Sequence, residues 1–131
     1  MFFVEMVIGL RGFHVYSQTW TPILDENIGL IREPDNPFDR FAIKGTCKDR
    51  DVGHLPREVS KILFSVMDQC DVQAQVFGKP RGAKGGKGIE VPIKVTIGSD
   101  VRKTITKLER QLRKKKCVEK LTIKPKRRIR I

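Results

Sequence analysis

Every second residue from Ile89 to Ile97 is β-branched and apolar, and mostly polar residues lie between them. This alternation is typical of a strand with one face buried and the other in water. Residues 71–78 repeat it more briefly, with Val72, Ala74 and Val76 on one side. A chain containing such strands must bury the apolar face of its sheet against another part of the structure.

Further short segments, apolar or rich in β-branched residues, are bounded by turn residues and favour additional strands. They are Val4–Gly9, Ile28–Glu33, Phe41–Lys44, Asp51–Leu55 and Val118–Ile123. We also expect Phe13–Tyr16 to continue the first strand or to pair with it. The Gly- and Lys-rich segment Lys79–Gly88 is expected to be a loop.

Two segments have helical spacing. The first follows Pro56, which suits the first position of a helix. Its apolar stripe consists of Val59, Ile62, Leu63, Val66 and Met67. The second stripe consists of Val101, Ile105, Leu108 and Leu112, with basic residues on the opposite face.

Strands therefore outnumber helices, and the length of 131 residues suits one domain. The pattern predicts a mainly β fold: a small, partly open β-barrel of about six strands with one or two helices. We expect the barrel over residues 1–98 and a basic C-terminal helix and tail over residues 99–131.

The net charge of +12 is unevenly distributed. Residues 1–101 contain 13 basic and 13 acidic residues, whereas residues 102–131 contain 14 basic residues against Glu109 and Glu119. A basic segment on a neutral body suggests a polyanionic partner, although it can also serve solubility alone. The runs Arg113–Lys116 and Lys124–Arg128 have nuclear-localisation character and can equally add salt-sensitive DNA affinity.

The three cysteines, Cys47, Cys70 and Cys117, form no CxxC pair. We expect neither a disulfide framework nor a zinc site, and a reducing compartment is the default. No apolar stretch is long enough for a membrane span, and the start of the chain lacks the basic region of a signal peptide. The sequence therefore predicts no membrane association.

Two blocks carry a family resemblance. Arg32–Ile43 reads REPDNPFDRFAI, and Val52–Arg57 follows nine residues later as VGHLPR. Together they resemble the HIRAN domain, and Gly12–Tyr16, Trp20–Pro22 and Gly85–Pro92 resemble an animal branch of that family. The resemblance extends from about Val7 to Gly98. It implies a modified OB-like barrel without catalysis or cofactor, which in the best-understood member captures 3′ ends of single-stranded DNA.

By motif position, the resemblance assigns DNA contacts to residues of both blocks. The terminal nucleotide would meet Phe38 and Asp39, and the loop also contributes Asn36. His54 and Arg57 take the positions of the His and basic residue of the second block. Phe77, His14, Tyr16 and Arg11 correspond more loosely.

The residue types suit that role. An aromatic ring such as Phe38 stacks on any unpaired base, whereas in a purely structural reading it plugs the barrel end. The Asp39 carboxylate accepts a hydrogen bond from a free 3′-hydroxyl and repels the phosphate of a continuing strand. It can also cap its own loop through backbone N–H groups. Arg40 and Arg57 suit phosphates, and His54 is either a DNA donor or a structural histidine. Lys79 and Arg81 belong to a basic loop expected to contact the backbone.

Other functions remain open at this point. Glu33, Asp35 and Asp39 are close enough in sequence to suggest a divalent-metal nuclease, and Cys47 or Cys70 with His54 a catalytic pair, but neither has a supporting motif. A protein-interaction module is the second alternative, with Val101–Leu112 docking a partner helix. RNA is a further ligand class. We expect a monomeric nuclear protein that binds single-stranded DNA and contains no catalytic residue or metal.

Overall fold

A computed structural model describes residues 1–83 and 88–125, which form eight strands and three helices. The strands are β1 Phe2–Arg11, β2 Asn27–Arg32, β3 Ile43–Cys47, β4 Arg50–His54, β5 Asp71–Val76, β6 Arg81–Gly82, β7 Ile89–Ser99 and β8 Glu119–Pro125. The helices are α1 Phe13–Tyr16, α2 Arg57–Phe64 and α3 Arg102–Arg113. None of these helices is both long and apolar enough to cross a membrane.

Six strands close into a barrel in the order β1, β7, β5, β2, β3, β4 and back to β1. β6 adds to the outer edge of β7, and β8 adds to β1. The mainly β barrel expected from the sequence is confirmed. Its closure is uneven: β1 pairs with β7 along ten residues, but with β4 only through Arg11 and His54.

The core consists of the alternating apolar residues of the long strands. On β1 the inward side chains are at most 1% exposed, and on β7 they are fully buried. They are Val4, Met6, Ile8 and Leu10 on β1, and Val91, Ile93, Val95 and Ile97 on β7. Burying an aliphatic side chain of this size contributes about 1.5–3 kcal/mol, so these two strands supply much of the driving force.

Gly53 makes the closure sterically feasible. Its φ of 151° lies in a region that other residues rarely adopt. A Cβ atom there would lie 2.5 Å from the carbonyl oxygen of Arg11, well inside contact distance. The VGH block thus requires a glycine because β1 and β4 meet backbone to backbone at this point.

The expectation that Phe13–Tyr16 forms a strand is wrong. Gly12, with a left-handed φ of 96°, turns the chain out of β1, and the next four residues form the single helical turn α1. The Phe13 ring packs edge-on against Trp20 at 6.1 Å. The aromatic and β-branched composition that suggested a strand is thus satisfied by a tertiary contact instead.

The other segments agree with the sequence apart from shifted boundaries. β3 begins at Ile43, two residues later than expected, because Phe41 belongs to the preceding turn. α2 begins at Arg57, and Pro56 is its N-cap. Within the expected loop Lys79–Gly88, Arg81–Gly82 forms the short strand β6, while residues 84–87 lie outside the described residues.

The C-terminal segment packs onto the barrel as far as it is described. Ile105, Leu108 and Leu112 of α3 are at most 2% exposed, and α3 packs against β1, β7, β8 and α2. Of the stripe considered for a partner helix, these three residues are therefore covered by this chain's own barrel, whereas Val101 is exposed. The division at residue 98 stays a prediction, and residues 126–131 of the tail lie outside the description.

Because Leu108 is buried between α3 and the barrel, we expect Leu108→Ala to lower the free energy of unfolding by about 2–5 kcal/mol, as is usual for such a truncation. Lys107→Ala, on the exposed face of the same helix, is the matched control and should change it little. Denaturant titration measures both. A loss below 1 kcal/mol for Leu108→Ala would contradict the packing of α3.

Candidate nucleic-acid interface

The loop between β2 and β3 is shaped by two of its own side chains. The Asn36 Oδ1 accepts the backbone N–H groups of Phe38 and Asp39 at 2.9 and 3.1 Å. The Asp39 Oδ1 accepts the N–H of Phe41 at 3.0 Å. Such side-chain caps replace the backbone partners that an irregular loop lacks, so the loop has a defined shape.

This loop exposes the ring of Phe38. The residue is 89% exposed, so it does not plug the barrel. Beside it lies a shallow groove of about 290 Å³, lined by Asn36, Phe38, Asp39, Ala42, His54, Leu55 and Arg57. Hollows beside Trp20 and Arg32 are larger, but neither contains a residue assigned to DNA contact. We therefore take the groove beside Phe38 as the candidate site.

Arg57 connects the start of α2 to this loop. Its Nη2 donates to the carbonyl oxygen of Phe38 at 3.2 Å, and its Nε lies 3.5 Å from the Asp39 Oδ2. The Arg57 side chain is nevertheless 78% exposed. It supports the loop and still presents a guanidinium group to the groove.

His54 also lines the groove and is paired with Glu33. The His54 Nε2 lies 2.6 Å from the Glu33 Oε1, which fixes the orientation of the imidazole ring. On β1, Arg11 is paired with His54, and its Nε is buried without an acceptor among the described residues. The end of the barrel where β1 meets β4 thus has a cationic side chain whose hydrogen-bonding capacity is incompletely used.

The structure brings together five of the residues expected to contact DNA, namely Asn36, Phe38, Asp39, His54 and Arg57. The others lie around this group. His14 and Tyr16 are on α1, which packs beside β4 and β7 at the same end of the barrel. Phe77 and Lys79 follow β5 as exposed residues. Arg40 does not line the groove, because its guanidinium carbon lies over the Phe41 ring, 4.9 Å from the ring centre.

Arg81 is held in an ion-pair network. Its Nε is 3.3 Å from Glu90 Oε1, and its Nη2 is 2.5 Å from Glu119 Oε2. Glu90 is itself buried, at 3% exposure, so a neighbouring cation is needed to offset its desolvation. Two carboxylates therefore already compensate the Arg81 charge, which leaves it a poor candidate for a phosphate contact.

The geometry does not favour the enzyme alternatives. In residues 1–83 and 88–125 no three acidic, His or Cys side chains converge in a metal-binding cluster, although Glu33, Asp35 and Asp39 all fall there. Burial, with the hydrogen bond and charge of Glu26, raises the pKa of Cys47, which disfavours a thiolate. Burial, with the hydrogen bond that its thiol donates to the Glu58 carboxylate, raises the pKa of Cys117 to about 12.

Two features of the site were not recognised from the sequence. Glu33 was considered only as a metal ligand, yet it orients His54. Its position in the first block is the only local feature of the sequence that indicates this role. Arg11 was mapped loosely because its role depends on where the barrel closes. Pairing between residues so distant in sequence cannot be read from local periodicity.

The fold and the groove define a small β-barrel with a candidate site at one end, and comparison identifies its class. The HIRAN domain family model matches residues 7–98. The chain therefore belongs to the HIRAN domain family, as the resemblance indicated.

The similar curated proteins are helicase-like transcription factors. Those of Oryctolagus cuniculus and Homo sapiens are each 34% identical over 92 residues, which is 67% of this chain. The chain spans only 9% of the length of either relative. The similarity thus concerns one domain of much longer proteins.

Solved structures of that domain have the same fold. The crystal structure of the HIRAN domain of the human factor gives a TM-score of 0.65 at 24% identity, covering 86% of this chain and 91% of that chain. An NMR structure of the domain in its DNA-bound conformation gives 0.58 at 23% identity, covering 87% and 89%. At this identity, both comparisons concern the fold alone.

Because Asn36 accepts two backbone hydrogen bonds, we expect Asn36→Ala to lower the free energy of unfolding by about 1–2 kcal/mol. Asn36→Asp keeps an acceptor oxygen at the same position and should retain most of the stability. Asp35→Ala, at the exposed neighbouring position, is the control. Equal stability of Asn36→Ala and the native protein in denaturant titration would contradict this account of the loop.

Proposed function

We propose that this chain is a non-catalytic module that binds single-stranded DNA and recognises a free 3′-hydroxyl end. The observation that carries the proposal is the exposed Phe38 ring, held by a capped loop directly beside the Asp39 carboxylate. The DNA-bound HIRAN domain of the helicase-like transcription factor supports DNA as the ligand class.

Phe38 is suited to hold the last base. Its backbone N–H is bonded to Asn36 and its carbonyl to Arg57, so the loop is fixed on both sides of the ring. A pre-positioned aromatic face loses little entropy when a base stacks on it. Stacking contributes about 1–3 kcal/mol per base and is tolerant of base identity.

The two carboxylate oxygens of Asp39 have different roles, one in shaping the loop and one in recognition. Oδ1 is occupied by the N–H of Phe41, whereas Oδ2 lies 3.5 Å from Arg57 on the side of the groove. A terminal 3′-hydroxyl donates to Oδ2, but a phosphate at that position is repelled by the carboxylate. The residue therefore caps the loop and also discriminates against strands that continue.

Arg57 supplies the compensating positive charge. It lies in the first turn of α2, where free backbone N–H groups also favour an anion. A guanidinium group presents several donors in one plane and suits a phosphodiester. We assign it the phosphate preceding the terminal nucleotide, while His54, oriented by Glu33, lines the same groove.

The basic C-terminal segment leads us to propose a nuclear location. Lys114 and Lys116 are exposed after α3, and the second basic run, Lys124–Arg128, begins in β8 and continues into residues 126–128, which lie outside the described part. A fluorescent fusion that remained outside the nucleus with both runs intact would refute this proposal.

We expect the native protein to bind an oligonucleotide with a 3′-hydroxyl about tenfold or more tightly than the same strand with a 3′-phosphate, because one charge-assisted hydrogen bond is exchanged for repulsion. Asp39→Asn retains an oxygen for the Phe41 N–H but removes the charge. It should abolish this preference without unfolding the loop. Fluorescence anisotropy measures the dissociation constants.

Asp35→Asn, which removes an exposed charge from the same loop, is the matched control and should keep the preference. A ribonucleotide strand of the same sequence tests whether DNA is preferred. Equal affinity of the native protein for both 3′ ends would defeat end recognition, and no binding to either strand would defeat the whole proposal.

Because Phe38 is almost fully exposed, Phe38→Ala should leave the free energy of unfolding nearly unchanged while weakening DNA binding by about 1–3 kcal/mol on all sequences. Phe38→Tyr keeps the ring and should retain affinity. An unchanged dissociation constant for Phe38→Ala would show that the ring does not stack on a base.

A further inference from the structure

Lys120 lies in an unusual backbone position within β8. Its φ of 50° is left-handed, which is rare for a residue other than glycine. On β1, Glu5 pairs with Thr122 and Val7 with Glu119. One residue lies between the paired positions on β1, but two lie between them on β8. The extra residue is a β-bulge, a feature that redirects side chains.

The bulge directs Lys120 towards Phe77. The Lys120 Nζ lies 5.1 Å from the centre of the Phe77 ring, within the range of a cation–π contact. Phe77 itself remains 37% exposed. Lys120 forms no ion pair with any residue that the structure describes, so its charge is not compensated by a carboxylate there.

Neighbouring contacts hold this part of the chain in place on two sides. Glu119 Oε2 accepts a hydrogen bond from Arg81 of β6. Three residues before Lys120, the buried Cys117 is hydrogen-bonded to Glu58, the residue next to Arg57 in α2. Lys120 therefore lies in a segment that is attached to β6 through Glu119 and to α2 through Cys117, rather than on a free tail.

We propose that Lys120 is a further nucleic-acid-binding residue, which neutralises a backbone phosphate of a single strand whose base stacks on the open face of Phe77. This inference rests on the proposed function. It reassigns the phosphate contact expected of Arg81, whose charge is already compensated, to a lysine beyond the residues 7–98 that match the family. The ligand class is a single-stranded phosphodiester, bound by charge and stacking.

Lys120→Gln tests the proposal, because it removes the charge and keeps a side chain of similar reach. The probe is a fluorescent oligothymidylate with a 3′-hydroxyl, titrated at several salt concentrations. Removing one phosphate contact should lower the slope of log K against log salt by about 0.7. We also expect weaker binding at low salt, whereas Lys120→Arg should keep both the slope and the affinity.

Lys48→Gln is the matched control. Lys48 is also a lysine with left-handed φ, of 51°, but it lies in the turn before β4, at the opposite end of that strand from His54. This variant removes the same charge from the same backbone conformation and should leave the slope unchanged. Equal unfolding free energies of both variants and the native protein exclude a folding effect.

A second measurement links the two side chains. If Lys120 acts on a strand stacked on Phe77, Lys120→Gln should have a smaller effect on affinity in a Phe77→Ala background. If Lys120→Gln has the same salt slope as the native protein, or binds the strand more tightly, the inference is overturned. The proposed function still stands in that case, provided that the native protein binds DNA and Phe38→Ala weakens the binding. Absence of DNA binding by the native protein overturns both.

Discussion

The site depends on how the barrel closes between β1 and β4. These strands share only the pair Arg11–His54, and they can approach because Gly53 has no side chain against the Arg11 carbonyl. A ladder with one pair diverges on either side, so the end of the barrel stays accessible. The same closure places His54 and Arg11 at that end, next to the loop that carries Phe38. One steric requirement thus fixes both the fold and the location of the groove.

Within the groove, most polar groups have a structural role before any ligand binds. Asn36 and one oxygen of Asp39 satisfy backbone N–H groups, and Glu33 orients His54. What remains is small: one carboxylate oxygen, one exposed guanidinium group and one ring. Because the surroundings are already bonded, these three groups are held in place, and a ligand is not required to order them.

The parts that the sequence predicted correctly are those governed by local periodicity. The apolar alternation of β5, that of β7 from Val91 to Ile97 and the Val59 and Leu63 positions of α2 survive in the structure, because these side chains face the core. Phe13–Tyr16 failed because a left-handed Gly12 and contact with Trp20 outweighed its strand-like composition. The motif residues beside Phe38 were found through the family resemblance. No sequence pattern indicated a role for Lys120, since its bulge exists only when β8 pairs with β1.

The charge distribution gains a different meaning in the folded chain. Counting basic residues predicts a polyanion partner, but a cation contributes fully only where its charge is not already paired. Arg81, in an expected DNA-contacting loop, lies between two carboxylates, and Arg32 is paired with Asp68. Lys120, in contrast, rests on an aromatic ring, which attracts the ammonium group without neutralising it. A phosphate can therefore still pair with this lysine, and its position beside Phe77 combines charge and stacking for the same strand.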